Sequence, residues 1–599
     1  MKKSFPIGTQ SFVALRRNNR YYVDKTAFIK RVLVDDSADV LLITRPRRFG
    51  KTLFLDTLNT FLRIGIDGSD KVTERRKLFD GLEILQDEDF CKAYMCRYPT
   101  ITLSLKSAEG ASFLEAYQAF ARNLVGIARS FGFLGESTVL SVEDKETLAR
   151  YKDLNFMQDL THQDAAKSFL KTMTEILSRH YGRQVVLLID EYDVPLAKAA
   201  KGGYYDKMLP LIRGFLGEAL KPDPLTGYEK EPYLKKAVLT GCLRVGKESI
   251  FTGLNNLTIN TVWSEDLRLS EAIGFTPMEV AKLLDYYGLT SRSDDVKSWY
   301  DGYKFAGKDV YCPWDVINFA SEALKSGRAQ TFEPRNYWAN TSSNDAVQEF
   351  LGFLDRQDTE KMQTLVDGGS VEIDVNEQLS YGDMKEHRPQ DFWTLLLATG
   401  YLTLVNSSPK GTSNTTYTVK IPNREILETF KTNIQSYFSN DNPAFTKGVH
   451  AFVKAVLADN PNEVSILLKT LLRRFISVRD TATKAFAENF YQGFLNEIFA
   501  CAGSLVSHYK SQPETGNGYA DMAFLSETVS GRTGVVVEIK YCKDPDDLYE
   551  TADAALLQIQ EKHYGAYFDK LRCSRRLAYG MAFCGKDCAV SFGELHSGS

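Results

Sequence analysis

The sequence predicts an α/β protein of several modules, and three features predict it. Short apolar runs alternate with helically spaced apolar residues through the first third. The triplet Gly50-Lys51-Thr52 falls where one such run gives way to a helical pattern. Residues 481–599 read as helix, strand, hairpin, strand, helix, strand. Short apolar strands separated by helices imply a parallel sheet covered on both faces. At about 150 residues per domain, the 599-residue length suits roughly four modules.

Residues 40–44 read as the first buried strand, followed by Leu53, Phe54, Leu55, Leu58, Phe61 and Leu62 at helical spacing. Residues 100–105, 185–189 and 237–240 read as further strands. They place a first α/β module in residues 1–270. Residues 271–345 turn helical and aromatic, with Trp299, Tyr300 and Trp338. In 346–442, short helices flank strand-like runs at 401–405 and 417–421. The Ser-, Gly- and Thr-rich stretch 406–414 reads as the loop of their hairpin. Helix plus hairpin suggests a winged-helix-like segment. Residues 443–480 read as a helical linker to the last module, 481–599.

Net charge is −4, from 73 basic and 77 acidic residues, too small to name a partner. Its distribution says more. Residues 1–52 hold 12 Lys and Arg against 4 Asp and Glu. That surplus suits a polyanion such as nucleotide phosphate, and a solvated basic surface fits it equally. The nine cysteines form no C-x-x-C pair, which argues for a reducing compartment and against a zinc site. No apolar stretch reaches the ~18 residues of a membrane span. The first residues lead into no apolar signal core. The expectation is a cytoplasmic protein with no membrane partner.

Gly50-Lys51-Thr52 between strand and helix is where a phosphate loop belongs, with backbone N–H groups facing an anion. Arg48, Phe49 and Gly50 would line it. Lys51 would reach the β- and γ-phosphates of ATP, and the Thr52 hydroxyl would ligate Mg²⁺. The strand at 185–189 runs into Asp190 and Glu191. Asp190 would hold Mg²⁺ and Glu191 would polarise the attacking water; a solvated acidic strand end is the alternative. Arg244 is the candidate arginine finger, with a plain surface arginine or a neighbouring subunit of a homo-oligomer as the other options.

In the last module, side chains alternate along strand 535–541, so Glu538 and Lys540 share a face. Asp521 lies on the preceding arm of the same hairpin. Asp521 and Glu538 would hold Mg²⁺, with Mn²⁺ also accepted. Lys540 would orient the water nucleophile and stabilise charge at phosphorus. Glu488 could add a metal ligand from its helix, and Gln558 could steady the lysine or the water. A surface Glu–Lys pair is the alternative for the triplet alone. Three preceding valines and the nearby Asp argue for a buried site. Residues 481–599 hold 11 basic and 15 acidic residues, so no basic track marks a nucleic-acid surface.

The motifs RPRRFGKT (45–52), VVLLIDEYD (185–193), TGCLRVGKESIFTGLNN (240–256), WYDGYKF (299–305), YWANTS (337–342) and ATGYLTL (398–404) resemble the bacterial and archaeal AAA-ATPase-like family. The likeness covers roughly residues 5–425. That family carries Arg where the Walker pattern has its first Gly, as Arg45 does here. One departure is Cys312-Pro313-Trp314-Asp315, where Asn before Pro and Ser after Trp are expected. ENFYQGF (488–494), PETGNGYADMAF (513–524), VVVEIKY (535–541) and LLQIQEKHYG (556–565) resemble a PD-(D/E)xK nuclease domain. Tyr519 stands where many relatives carry a basic residue. The resemblance implies a P-loop NTPase with a helical lid and winged-helix-like segment, then a PD-(D/E)xK domain. The function it implies is ATP-gated, Mg²⁺-dependent cleavage of nucleic acid, with DNA expected first. An NTPase switch whose last domain only binds nucleic acid or a protein partner is the alternative, and a non-nucleic-acid ATPase with a structural last domain is a third reading.

Overall fold

The computed structural model describes residues 2–35, 38–65, 72–221, 233–244, 251, 254–338, 356–366, 368–377, 379–386, 388–410, 414–430, 443–475, 491–496, 498–499, 502–515, 518–528, 531–571, 573–585 and 587–595. The chain divides into two units: Met1–Ser342 with Glu372–Leu427, and Ser343–Val371 with Glu428–Ser599. No helix among the described residues is long and apolar enough to cross a membrane.

The first unit holds strands β1 (Val40–Thr44), β2 (Thr100–Ser104), β3 (Val185–Asp190), β4 (Leu234–Gly241) and β5 (Leu257–Asn260). They form one parallel sheet in the order β2-β3-β4-β1-β5. β1 and β3 are buried along their whole length, as continuous apolar runs require when helices cover both faces. Helix α1 (Lys51–Leu62) follows β1 directly. Helices α2 (Phe113–Ser130), α3 (Gln163–Tyr181) and α4 (Tyr205–Leu220) contribute Phe120, Phe169, Ile212 and Phe215 to the core under one face. Alternate strand residues Val40, Leu42, Leu187 and Ile189 meet them there.

Helices α5 (Pro277–Tyr287), α6 (Ser293–Tyr300) and α7 (Pro313–Lys325) share a separate core in the same unit. Phe5, Tyr21 and Val23 from the N-terminal stretch pack against that core. Further on, β6 (Val371–Asp374), α8 (Pro389–Thr399), β7 (Thr403–Lys410) and β8 (Asn414–Lys420) follow. The strands pair in the order β6-β8-β7. The hairpin is longer than its composition suggested. Residues 406–410, expected as loop, belong to β7, and Lys410 pairs with Asn414. A ladder pairs backbone groups whatever the side chains, so polar residues extend it without an apolar signal.

The second unit holds α9 (Pro443–Leu457), α10 (Pro461–Phe475), β9 (Ser507–Ser511), β10 (Met522–Thr528), β11 (Gly531–Tyr541), α11 (Leu548–Glu561), β12 (Arg575–Cys584) and β13 (Asp587–Glu594). The sheet order is β9-β10-β11-β12-β13, with β11 and β12 parallel and the other pairs antiparallel. Phe452, Val456, Leu468 and Leu472 of α9 and α10 pack with Phe494, Phe524, Val537 and Tyr579. The stretch expected as a linker is therefore part of a core, because both helices present an apolar face to the sheet. The opposite face, with Ala523, Val536 and Ala578, is covered by Ile559 of α11 and by Phe568.

Candidate functional site

The nucleotide-type constellation assembles at the ends of β1 and β3. Gly50 has φ +98°, which glycine alone adopts without strain, and it caps α1 without a side chain. The first N–H groups of α1 are thus left for an anion. Lys51 is buried and donates to the carbonyls of Arg45 at 2.8 Å and Pro46 at 2.9 Å in its own loop. The Thr52 hydroxyl donates to Asp190 Oδ2 at 2.5 Å. Asp190 Oδ1 accepts the hydroxyl of Thr240 from β4. Thr52 and Asp190 together offer a hydroxyl and a carboxylate, hard oxygen donors of the kind Mg²⁺ accepts, so they fit that ion.

Glu191 follows in a left-handed turn, φ +52°. Burial, with the charge of Asp190 adding to it, pushes its carboxyl above the usual carboxylate range. A raised carboxyl beside a phosphate loop suits proton transfer to or from water.

Three other expected residues take different places. Arg48, at φ +70°, lays its guanidinium 4.2 Å over the Trp314 ring and donates to the Tyr337 carbonyl at 3.1 Å. Phe49 is buried edge-on against Tyr303, so only its backbone lines the loop. Arg244 ion-pairs with Glu377 at 2.7 Å and lines a pocket with Trp263 and Tyr417. The structure does not bring Arg244 into hydrogen-bond contact with Lys51, Thr52 or Asp190. Arg45 is wholly buried and bonds Asn260 Oδ1 at 2.6 Å and the carbonyls of Thr44 and Leu269. Its charge ties β1 to the chain after β5, which explains an arginine where a phosphate loop usually has glycine.

The second constellation assembles on β10, β11 and α11. Asp521 Oδ2 accepts the Ile539 N–H at 2.7 Å, and the Asp521 N–H points to Glu538 Oε2 at 3.4 Å. Glu538 is 5% exposed. Gln558 donates to Glu538 Oε1 and accepts from Lys540 Nζ at 2.7 Å. Asp521, Glu538, Lys540 and Gln558 thus form one connected group. Tyr564 stands beside it: burial raises its phenol, Gln558 bonds to it, and the carboxylates of Glu538 and Asp521 raise it further.

Gly580 on β12 lets α11 come this close, since a Cβ there would lie 2.2 Å from the Ala552 carbonyl oxygen. Glu488 lies outside the described residues. Among the described residues, no group of three or more His, Cys, Asp or Glu is arranged around a metal position. The two carboxylates still fit Mg²⁺ or Mn²⁺, because Mg²⁺ is commonly held by one or two carboxylates and keeps several waters.

Both constellations fall in regions with known relatives. Residues 6–251 match the family model described as predicted AAA-ATPase. Residues 486–592 match that of the PD-(D/E)XK nuclease superfamily. The two matches stand in the order expected from the motifs; the first ends at 251, before the motifs at 299–305, 337–342 and 398–404. A protein of Azotobacter chroococcum mcd 1, described as "Uncharacterized protein in vnfD 5'region", is 27% identical over 354 residues. The match covers 58% of this chain and 56% of that protein, so the chain spans about half the length of its curated relative.

In the ATPase-like region, sequence reasoning passed over Asp193, whose Oδ2 accepts the N–H groups of Cys242 and Leu243. The signal was present in the DEYD string, where the last carboxylate ends a buried run. It also left the Cys312–Asp315 turn without a role. Cys312 caps α7, Trp314 carries Arg48, and Asp315 is buried beside Glu425. Glu425 Oε1 accepts the N–H groups of Tyr337 at 2.5 Å and Trp338 at 2.9 Å.

Proposed function

We propose that the chain binds and hydrolyses ATP and that its ATPase gates or drives a Mg²⁺-dependent nuclease acting on DNA. The observation that carries the reading is the hydrogen-bonded group of Asp521, Glu538, Lys540 and Gln558. Both family matches support it at the level of domain class. ATP and a divalent ion are the cofactors such domains use. When bound, the ion would sit at Asp521 and Glu538 and supply charge stabilisation at phosphorus. Lys540, held by Gln558, would orient the attacking water. At the other site, Lys51 would take the phosphates, Thr52 and Asp190 the ion, and Glu191 the water.

A second reading is an NTPase switch whose last domain binds nucleic acid or a protein without cutting. Its support is the acidic balance of residues 481–599, 11 basic against 15 acidic. One assay separates the two. Single- and double-stranded DNA and RNA are incubated with wild type and Glu538→Ala, with and without ATP and Mg²⁺. The nuclease reading expects Mg²⁺-dependent cleavage that Glu538→Ala loses. Binding without cleavage in every lane, at an intact fold, selects the switch.

A further inference from the structure

Asp193 is a carboxylate only 2% exposed, three residues beyond Asp190. Its Oδ2 accepts the Cys242 N–H at 3.1 Å, the Leu243 N–H at 3.0 Å and the Tyr381 hydroxyl at 3.0 Å. Tyr192, the residue before, donates its hydroxyl to the Leu243 carbonyl at 2.7 Å. The turn after β3 therefore grips both the amides and a carbonyl of the loop after β4. Gly241 permits the approach, since a Cβ there would lie 2.7 Å from Asp193 Oδ1 and 2.6 Å from the Tyr192 ring.

That loop touches the phosphate loop. Lys51 Nζ lies 3.7 Å from Cys242 Sγ. Arg47 faces the same thiol, Tyr381 and Asp193. Two residues of 372–427 close the cluster, Tyr381 on Asp193 and Glu377 on Arg244. A buried carboxylate is costly unless donors compensate it, and apolar residues of like size would pack the space at less cost. What the charged network adds is a single arrangement of three loops.

We propose that Asp193 and Tyr381 are positioning residues of the nucleotide site. They hold the loop after β4 against Lys51 and Arg47, so that segment 372–427 sets how fast bound ATP turns over. The proposal rests on the ATPase reading above. Both residues act through Cys242, Arg47 and Lys51. Tyr381→Phe removes one donor from the buried carboxylate and keeps the ring in place, so the loop loosens without a cavity.

The test uses the full chain: wild type, Tyr381→Phe, Asp193→Asn, Asp193→Ala and Lys51→Ala. Steady-state ATP hydrolysis, binding of a fluorescent ATP analogue and melting temperature are measured for each. Tyr381→Phe is expected to lower kcat about tenfold and leave the analogue Kd within about threefold. Asp193→Asn, whose amide oxygen still accepts the two N–H groups, keeps more of kcat than Asp193→Ala. The proposal is overturned by a wild-type kcat in Tyr381→Phe. It is also overturned if Asn rescues nothing and Kd worsens in step with kcat. If wild type and Lys51→Ala hydrolyse alike, the ATPase reading fails and this proposal falls with it. Turnover that needs Lys51 but ignores Tyr381→Phe overturns this proposal alone.

Discussion

Glu538 and Lys540 stand two positions apart on β11, and one glutamine side chain joins them. Glu538→Gln keeps the shape and removes the charge. Lys540→Met keeps the stem and removes the ammonium. Each is expected to lower Mg²⁺-dependent cleavage by about 10²- to 10³-fold, read as initial rates on labelled DNA. Rates surviving both changes, with melting temperature intact, sink the nuclease assignment.

A different pair, Asp315 and Glu425, gives a pH signature. Burial pushes Asp315 up to about 6, and burial together with the Asp315 charge pushes Glu425 higher still. A folded-state pKa above the unfolded value means stability is fully present below the unfolded pKa and is lost as pH rises through the folded one. Asp315 thus contributes most near pH 4, and its contribution falls as pH rises to about 6. Arg48 and Cys312 face the pair, and the Tyr337 and Trp338 amides bond it. Glu425→Gln can keep both backbone bonds and donate to an ionised Asp315. Thermal melts from pH 4 to 6 should show a smaller loss in Glu425→Gln than in wild type. Parallel melting curves would remove the coupling between the two carboxyls.

At the scale of elements, Gly580 decides whether α11 can reach the site. A side chain there meets backbone atoms, the Ala552 oxygen and the Leu556 nitrogen, which have nowhere to go. Gly580→Val is expected to cost about 1–3 kcal/mol in denaturant melts and to reduce cleavage by parting Gln558 from Lys540. Full cleavage at reduced stability would show that Gln558 is dispensable.

Elements also explain what the sequence made legible. β1 and β3 were readable because each is a run of five or six buried residues. β5 was not: Leu257–Asn260 is four residues long, and three are only partly buried. The phosphate loop and the Glu538–Lys540 pair were readable because their parts lie within a few residues of each other. The Tyr381–Asp193 bond spans 188 residues, and no local pattern announces it. The side-chain contacts of Arg48 and Phe49 were not legible for a related reason. Their side chains answer to Trp314 and Tyr303, supplied by a distant stretch.

For the whole molecule, the near-zero charge joins two unlike parts. The first 52 residues are basic, where phosphate is expected, and the last 119 are acidic, where a metal is expected. If both proposed sites are active, one chain carrying them invites regulation of one by the other. Cleavage measured without nucleotide, with ATP and with a non-hydrolysable analogue should differ by at least about threefold between states, a coupling of at least about 0.6 kcal/mol. Equal rates in all three would mean two independent enzymes on one chain.

The division of the chain also bears on inheritance and on cutting. The backbone passes between the two units after Ser342, again after Val371 and again after Leu427. A module that lies wholly downstream of its neighbour can be gained or lost by recombination at one junction. This one cannot, because residues 343–371 belong with the later part while being encoded inside the earlier one. A single protease nick or gene fusion near 428 would therefore split the second unit instead of freeing it.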